Sequence, residues 1–226
     1  MTRPEPHPAT LSLFDEEVAA LPAGVEPLAT QAFVLRGFAD GAAFTLLKDL
    51  RAVEALAPFR HMQTPGGFAM SVALTNCGRL GWTTDQRGYR YSELDPLTAR
   101  PWPPMPESFV ALARSAAASA GFPDFEPDAC LVNRYLPDSR LTLHQDKNER
   151  SFDAPIVSVS LGIPATFLFG GFERNDRAAR ILLRHGDVVV WGGVDRLRFH
   201  GVLPLKHGLH TTVGEQRLNF TLRRAG

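Results

Sequence analysis

The residues with the clearest chemistry are an imidazole and a carboxylate two positions apart, His144 and Asp146, within residues 141–149. If this stretch forms a strand, alternation places Thr142, His144 and Asp146 on one face. Two such side chains can occupy neighbouring positions on a metal ion, and a third ligand from a distant strand would complete a facial set. Taken alone, the triplet favours a hydrogen-bonded pair at the surface, so other residues must decide.

His200 is the best candidate for the third ligand. It lies in residues 198–202, where alternation points it to the same side as its second neighbours, and several strands separate it from the first two ligands. His185 precedes a probable turn and His207 and His210 flank a loop glycine, so they are poorer candidates that remain open. A mixed nitrogen and oxygen set with open positions favours non-haem Fe(II) and oxygen chemistry, with zinc or a structural metal as the competing assignment.

The last predicted strand, residues 217–224, supplies independent support. Alternation puts Arg217, Asn219, Thr221 and Arg223 on one face and leucine and phenylalanine on the other. Two arginines on one face require anions, and guanidinium groups bind carboxylates bidentately. Either the strand is a solvent-facing edge, or it binds a carboxylate cosubstrate. A keto-diacid whose remote carboxylate is held there would favour iron at the metal site.

Composition limits the class of protein that must position these residues. The chain has 226 residues, 44% of them hydrophobic, and 24 basic residues balance 24 acidic ones. A chain without net charge has no overall electrostatic attraction for a polyanion, so any nucleic acid would have to bind a local basic patch. Two cysteines are too few for a disulfide framework, and no apolar run suits a signal peptide or membrane span. We therefore expect a cytoplasmic protein that does not enter a membrane.

The pattern along the chain predicts one domain over residues 13–226 after a flexible, proline-rich tail at residues 1–12. Apolar residues at helical spacing predict an amphipathic helix over residues 40–57 and a second one over residues 107–120. Between them, residues 64–92 carry glycine turns and exposed-looking aromatic residues, which predict short hairpins. These aromatics either cap the core or form a lid that stacks on a flat ligand.

After residue 127 the sequence becomes a succession of short strands separated by proline, glycine or aspartate turns. The predicted fold class is therefore mainly β with flanking α, an α+β protein whose core over residues 127–226 is a double-stranded β-helix (jelly roll) or a related barrel. The predicted strands cover residues 129–135, 141–146, 156–161, 166–169, 181–183, 187–191, 198–202 and 217–224.

Ordered sequence blocks resemble one known family, the bacterial AlkB dealkylases, which are Fe(II)- and 2-oxoglutarate-dependent DNA repair dioxygenases. The resemblance runs from about residue 32 to the C-terminus. Its blocks are TPGG at 64–67, NCG at 76–78, LGWTT at 80–84, PDACL at 127–131, NRY at 133–135, HQDK at 144–147, PIVSVSLG at 155–162, HGDVVVWGG at 185–193 and RLNFT at 217–221.

The resemblance implies a role for each matching residue at the metal and cosubstrate. His144, Asp146 and His200 would bind the iron, with Arg223 close to Asp146 and to the metal-proximal carboxylate of 2-oxoglutarate. The residues implied at the remote carboxylate are Arg217, Asn133, Tyr135 and Asn219.

The resemblance also implies how a nucleotide is held. Trp82 and His144 would sandwich the damaged base. The other implied contacts are Tyr89, Trp191 and Arg174 near the nucleotide, Thr64 and Met70 in the covering lid, and Arg134, Arg140, Lys147, Arg150, Arg174 and Arg177 as candidates for phosphates.

The implied reaction uses O2 and 2-oxoglutarate to demethylate bases such as 1-methyladenine and 3-methylcytosine, releasing formaldehyde, succinate and CO2. The base must leave the stack, so a monomer acting preferentially on single-stranded DNA is expected. The alternatives are the same chemistry on RNA, protein or a small molecule, and a non-catalytic metal-binding jelly roll.

Asn148 departs from the family pattern, which has an aspartate after the HQDK block. A carboxylate only accepts hydrogen bonds from an exocyclic base amine, whereas an amide also donates. If Asn148 lies beside the base, it alters substrate preference without affecting catalysis itself.

Overall fold

The computed structural model describes residues 24–226, so the predicted tail at residues 1–12 lies outside the described part of the chain. The helices are α1 (Ala43–Leu56) and α2 (Glu107–Ser119). The strands are β1 (Val25–Ala29), β2 (Ala32–Leu35), β3 (Ala73–Gly78), β4 (Gly81–Asp85), β5 (Gly88–Ser92), β6 (Ala129–Tyr135), β7 (Leu141–His144), β8 (Ile156–Gly162), β9 (Ala165–Phe169), β10 (Ala179–Leu183), β11 (Val188–Trp191), β12 (His200–Val202) and β13 (Arg217–Arg223).

Two antiparallel sheets form the body of the fold. The larger sheet has the order β1-β2-β11-β8-β13-β6-β3 and the smaller one β10-β9-β12-β7. Tyr135, Ile156 and Trp191 of the larger sheet share a buried apolar cluster with Phe167 and Leu183 of the smaller sheet. The two sheets therefore pack face to face, as in a double-sheet jelly roll.

The helices cover the outer face of the larger sheet. Leu46 and Leu50 of α1 and Phe109 of α2 are buried in a second apolar cluster with Phe220 and Leu222 of β13. The rings of Phe109 and Phe220 meet edge to face, with centroids 5.0 Å apart. Because the helices bury this face, the opposite face of the larger sheet is left to line the space between the sheets.

Most predicted elements are present, with shifted ends. The amphipathic pattern over residues 40–57 forms a short 3-10 turn at Asp40–Ala42 followed by α1. The β7 strand stops at His144, so Asp146 lies just beyond the strand that was predicted to include it. None of the helices among residues 24–226 is long and apolar enough to cross a membrane.

The larger sheet recruits strands that the sequence pattern did not predict. β1 and β2 form one edge of this sheet and β3 the other, although all three precede residue 127. Of the predicted lid, only β4 and β5 form a separate two-stranded hairpin. β1 and β2 escaped prediction because they are short and show no clean alternation of buried and exposed residues.

β13 lies at the centre of the larger sheet, paired with β6 on one side and β8 on the other. All seven of its residues are buried. The interpretation of this strand as a solvent-facing edge is therefore wrong, and its two arginines face the interior.

Candidate metal and cosubstrate centre

The three proposed metal ligands converge at one end of the smaller sheet. His144 ends β7 and His200 begins β12, and the two residues are direct partners in the strand register. Their ring centroids are 4.4 Å apart. Asp146 follows closely, with its oxygens 3.8 Å from His144 Nε2 and 3.6 Å from His200 Nε2. One ligand atom from each residue lies within 4.8 Å of the others, close enough for a single metal ion.

Both imidazoles are oriented by backbone carbonyl groups. Nδ1 of His144 lies 2.8 Å from the carbonyl oxygen of Thr142, and Nδ1 of His200 lies 3.1 Å from that of Arg198. A protonated Nδ1 donates in each contact and leaves the Nε2 lone pair free. Since both Nε2 atoms point towards Asp146, the donor set fits a metal bound through two nitrogens and one carboxylate oxygen.

The protonation states also suit metal binding. Burial, reinforced by the neighbouring His200, lowers the pKa of His144 to about 4, so its imidazole is neutral at pH 7. Burial alone would raise the pKa of Asp146, but Arg223 and His200 hold that pKa well below its usual range. Arg223 Nε donates to Asp146 Oδ2 over 3.0 Å. Asp146 is therefore an ionised carboxylate with Oδ1 available to a cation.

The three other candidate histidines lie elsewhere. His185 and His210 stack on each other with centroids 4.2 Å apart, and Nδ1 of His185 accepts a hydrogen bond from the Gly162 amide. His207 is mostly exposed beside Asp138. Within the described residues, His144, Asp146 and His200 form the one cluster with metal-ligand geometry.

A cavity of about 650 Å³ lies between the sheets and opens next to these ligands. Arg217, Asn219, Thr221 and Arg223 of β13 all line it, which confirms the predicted shared face of this strand. The cavity is large enough for a small cosubstrate and a flat ring together.

Arg217 forms a buried cationic subsite within this cavity. Its side chain is 1% exposed, and NH2 donates to Ser160 Oγ over 2.9 Å. Nε and NH1 of Arg217 and the Tyr135 hydroxyl have no hydrogen-bond partner among the described residues. Burial raises the pKa of Tyr135 to about 12, so its hydroxyl remains a donor. Because a buried guanidinium requires an anion, these free donors fit a carboxylate such as that of 2-oxoglutarate.

Asn133 and Asn219 extend the polar wall beside Arg217. Asn133 Nδ2 donates to Asn219 Oδ1 over 3.2 Å, and Asn219 Nδ2 donates to Ser158 Oγ over 2.8 Å. These contacts fix both amides and place them near the subsite that Arg217 defines.

The predicted nucleotide contacts line the same cavity as the metal ligands. The rings of Trp82 and Tyr89 stack with centroids 5.7 Å apart and an interplanar angle of 20°. Trp82 Nε1 donates to Asn148 Oδ1 over 3.2 Å. Trp191 meets the His200 ring edge to face at 4.9 Å. The remaining predicted contacts that line the same cavity are Thr64, Met70 and Arg174.

Several cavity residues escaped the sequence analysis. Phe68, Gln145 and Phe199 also line the cavity. Alternation places Phe199 opposite His200, but β12 begins only at His200, so the preceding residue is free to point the same way. Arg174 stacks over the Phe199 ring at 5.3 Å. The aromatic character of Phe199 beside a metal ligand was the only available signal.

Three of the six basic residues proposed as phosphate contacts, Arg134, Arg150 and Arg177, do not line the cavity. Arg134 points to the helix side of β6, where it pairs with Glu54 at 3.2 Å and covers the Phe59 ring at 4.4 Å. Neighbouring residues of a strand face opposite ways, so Asn133 lines the cavity and Arg134 does not. This position argues against a phosphate contact for Arg134.

Comparison with known proteins identifies the class that this fold and site define. The family model of the 2OG-Fe(II) oxygenase superfamily matches residues 31–223. The chain belongs to this superfamily and, through the relatives below, to its AlkB dioxygenases, so it is an iron- and 2-oxoglutarate-dependent dioxygenase.

Similarity to individual proteins covers most of the chain. The alpha-ketoglutarate-dependent dioxygenase AlkB of Escherichia coli K12 is 59% identical over 201 residues, 89% of this chain and 93% of that protein. The human nucleic acid dioxygenase ALKBH1 is 34% identical over 55% of this chain and 32% of its own length. The solved structure of OsALKBH1 has a TM-score of 0.79 and 26% identity, and the match covers 88% of this chain and 99% of that one. The jelly-roll prediction is thereby confirmed.

Proposed function

We propose that this dioxygenase removes small alkyl groups from ring nitrogens of DNA bases, such as 1-methyladenine and 3-methylcytosine, with release of formaldehyde, succinate and CO2. One observation carries the proposal. The cluster of His144, Asp146 and His200 shares a cavity with the buried Arg217, whose Nε and NH1 have no hydrogen-bond partner among the described residues, and the stacked rings of Trp82 and Tyr89 line the same cavity. A metal, a dicarboxylate and a flat base each have a complementary surface there.

Separate groups of residues bind the iron and the cosubstrate. Iron, when bound with 2-oxoglutarate and O2, supplies the oxidation of a C–H bond. His144, Asp146 and His200 hold the iron, and the Arg223 guanidinium keeps Asp146 ionised. Arg217 and Tyr135 bind the remote carboxylate of the cosubstrate, which fixes its keto-acid end towards the metal ligands.

The aromatic residues that line the cavity hold the base. Trp82 and His144 sandwich the ring, with Tyr89, Trp191, Thr64 and the neighbouring Met70 and Arg174 around it. Stacking on aromatic side chains contributes about 1 to 3 kcal/mol per base and offsets part of the cost of unstacking. Because a paired base cannot enter the cavity, single strands are the preferred substrates.

The proposed substrate class is nucleic acid, which is supported by similarity to the human nucleic acid dioxygenase ALKBH1. Arg140, Lys147 and Arg174 line the cavity and supply positive charge for the phosphates, although the chain has no net charge. Binding should therefore weaken steeply with salt. We further propose that the enzyme acts as a monomer in the cytoplasm, on DNA and with RNA as a further candidate substrate.

The decisive experiment is a lesion assay. A single-stranded DNA oligonucleotide carrying 3-methylcytosine is incubated with enzyme, Fe(II), 2-oxoglutarate and O2, and repaired base, succinate and formaldehyde are measured. Repair in a one-to-one ratio with formaldehyde is expected, and the His200→Ala protein is the negative control. Production of succinate without repair would indicate that the same chemistry acts on RNA, protein or a small molecule. Absence of both products would favour a non-catalytic metal-binding jelly roll.

A further inference from the structure

A closed network of charged side chains lies directly behind the metal ligand Asp146. Its members are Asp146, Glu149, Arg196 and Arg223, and each side chain is at most 12% exposed. Two carboxylates balance two guanidinium groups, so the network is neutral. Buried charges persist only when they are paired. Loss of one member therefore leaves an excess charge beside the metal site.

Glu149 is the member that joins the two arginines. Its Oε1 lies 3.3 Å from Arg223 Nε, and its Oε2 lies 3.3 Å from Arg196 NH2. Arg223 in turn donates to the Asp146 carboxylate, and Arg196 NH1 donates to the Asp146 backbone carbonyl over 2.8 Å. Glu149 thus holds both cations that fix the side chain and the main chain of the metal ligand.

Glu149 also reaches the hairpin formed by β4 and β5. The Tyr91 hydroxyl donates to Glu149 Oε1 over 3.0 Å. Tyr91 is the direct cross-strand partner of Trp82, whose indole donates to Asn148. The cross-strand pair of Trp82 and Tyr91 therefore forms hydrogen bonds with Asn148 and Glu149, two successive residues after the metal-binding segment.

We infer that Glu149 is a positioning residue that sets the geometry of Asp146 through Arg223 and Arg196 and couples the base-stacking hairpin to the metal site through Tyr91. The inference rests on the proposed metal ligands. Groups behind a metal ligand orient it, and their loss typically weakens metal binding 10- to 100-fold. Replacing Glu149 by a neutral residue also leaves two guanidinium groups opposite one carboxylate, and their excess positive charge repels the incoming dication.

The first test measures metal affinity alone. Purified protein is titrated with Mn(II), and free Mn(II) is followed by electron paramagnetic resonance without 2-oxoglutarate or DNA. Glu149→Gln should bind Mn(II) at least about 10-fold more weakly than the unaltered chain. Glu126→Gln, which removes one partner of an exposed pair with Arg114, is the matched control and should bind normally.

The result separates positioning from a merely structural role. A folded Glu149→Gln protein with Mn(II) affinity within twofold of the unaltered chain would overturn the inference, whatever its melting temperature. If that variant does not fold, Glu149→Asp replaces it, because the shorter carboxylate keeps the charge but cannot reach both arginines. The titration needs no methylated base, so its outcome is independent of the proposed substrate.

The second test measures coupling by hydrogen exchange. Adding Mn(II) and 2-oxoglutarate should increase the protection of backbone amides in residues 81–92, and Tyr91→Phe should lose most of that increase. Coupling between two sites is reciprocal, so a hairpin linked to the metal ligand must respond when the metal binds. An equal gain of protection in both proteins, or no gain in the unaltered chain, would refute the link through Tyr91.

Discussion

Asn148 is the residue at which this chain is expected to differ from its relatives in the choice of base. The Trp82 indole nitrogen can only donate, so the oxygen of the Asn148 amide must face it, as the 3.2 Å contact shows. The amide nitrogen is then left to face a bound ring. Compared with an aspartate, a donor at this position should raise activity on lesions with a ring carbonyl oxygen, such as 3-methylthymine, relative to lesions with an exocyclic amine.

Asn148→Asp is therefore expected to shift lesion preference without abolishing activity. The ratio of kcat/KM for 3-methylcytosine over 3-methylthymine should rise about tenfold, because one mismatched hydrogen-bonding group costs about 1–3 kcal/mol. Competition between both lesions in single-stranded oligonucleotides measures this ratio. Asn175→Asp makes the same exchange at an exposed position and should leave it unchanged. An unaltered ratio in the Asn148 variant would place this amide outside base recognition.

Arg217→Ala is expected to act on the cosubstrate rather than on DNA. Affinity for 2-oxoglutarate should fall about 100-fold, within the ~2–5 kcal/mol that truncating one partner of a buried charge pair costs. Anaerobic calorimetric titration of Mn(II)-loaded protein gives the dissociation constant directly. Arg180→Ala, at an exposed position on β10, is the control. If both variants bind 2-oxoglutarate normally, the subsite lies elsewhere in the cavity.

At the level of residues, the sequence predicts those side-chain orientations that follow from alternation along a strand. The face of β13 and the orientations of His144 and His200 follow from the period of two along strands, whereas Asp146 lies beyond the end of β7. The contact between Trp82 and Asn148 and that between Tyr91 and Glu149 do not follow, because each joins segments about 60 positions apart through side-chain geometry. Arg134 shows the converse error, since a basic residue between two cavity residues faces the other side of its strand.

At the level of elements, the helices and the strands after residue 127 are predictable because their periodicity is strong. β3 was read as part of the lid, but it pairs along its length with β6 and closes one edge of the larger sheet. Pairing partners of an antiparallel strand are set by tertiary contacts rather than by its own sequence. The edges of the sheet therefore remained outside the predicted core, whereas its centre was placed correctly.

The segments that flank the hairpin are joined by a bidentate ion pair. Arg60 NH1 and NH2 donate to Asp95 over 2.7 Å and 2.6 Å, and the Asp95 side chain is 7% exposed. Burial would raise the pKa of Asp95, but the bonds from Arg60 and the Leu97 amide lower it. The pair joins the segment that follows the hairpin to the segment between α1 and β3.

Asp95→Asn should destabilise the protein at pH 7 by about 2 kcal/mol, less than the ~3–5 kcal/mol of a fully buried pair because Arg60 is 26% exposed. Since the folded pKa is lowered, this stabilisation is complete above the unfolded value of about 3.9 and is lost as the pH falls through the folded value. Urea unfolding at pH 7 and at lower pH should show the difference shrinking. Asp124→Asn, at an exposed site, is the control. A pH-independent difference would contradict the ionic origin.

At the level of the whole molecule, the site is shared between the two sheets. The smaller sheet carries His144 and His200, and the larger sheet carries Tyr135, Arg217 and Arg223. A ligand that contacts both groups connects the two layers. Anything that binds only the folded state stabilises it by mass action.

Mn(II) with 2-oxoglutarate at 100 times the dissociation constant should therefore raise the melting temperature by about 5–10 °C, the equivalent of about 2.7 kcal/mol for a chain of this size. Differential scanning fluorimetry measures the shift. His200→Ala should show little or none under the same conditions. A shift that persists in this variant would mean that the ligands bind away from the three-residue cluster.

The metal ligands lie on one sheet and Arg217 lies on the other. The distance between the two sheets therefore limits the length of a ligand that can reach both. Packed sheets keep a nearly constant spacing, because their side chains interdigitate at crystal-like density. A keto-diacid that chelates metal at one end and meets Arg217 at the other must match that fixed span. If Arg217 is the carboxylate subsite, homologues with one carbon fewer or more should bind more weakly. We therefore expect the jelly roll to select its cosubstrate by length as well as by charge.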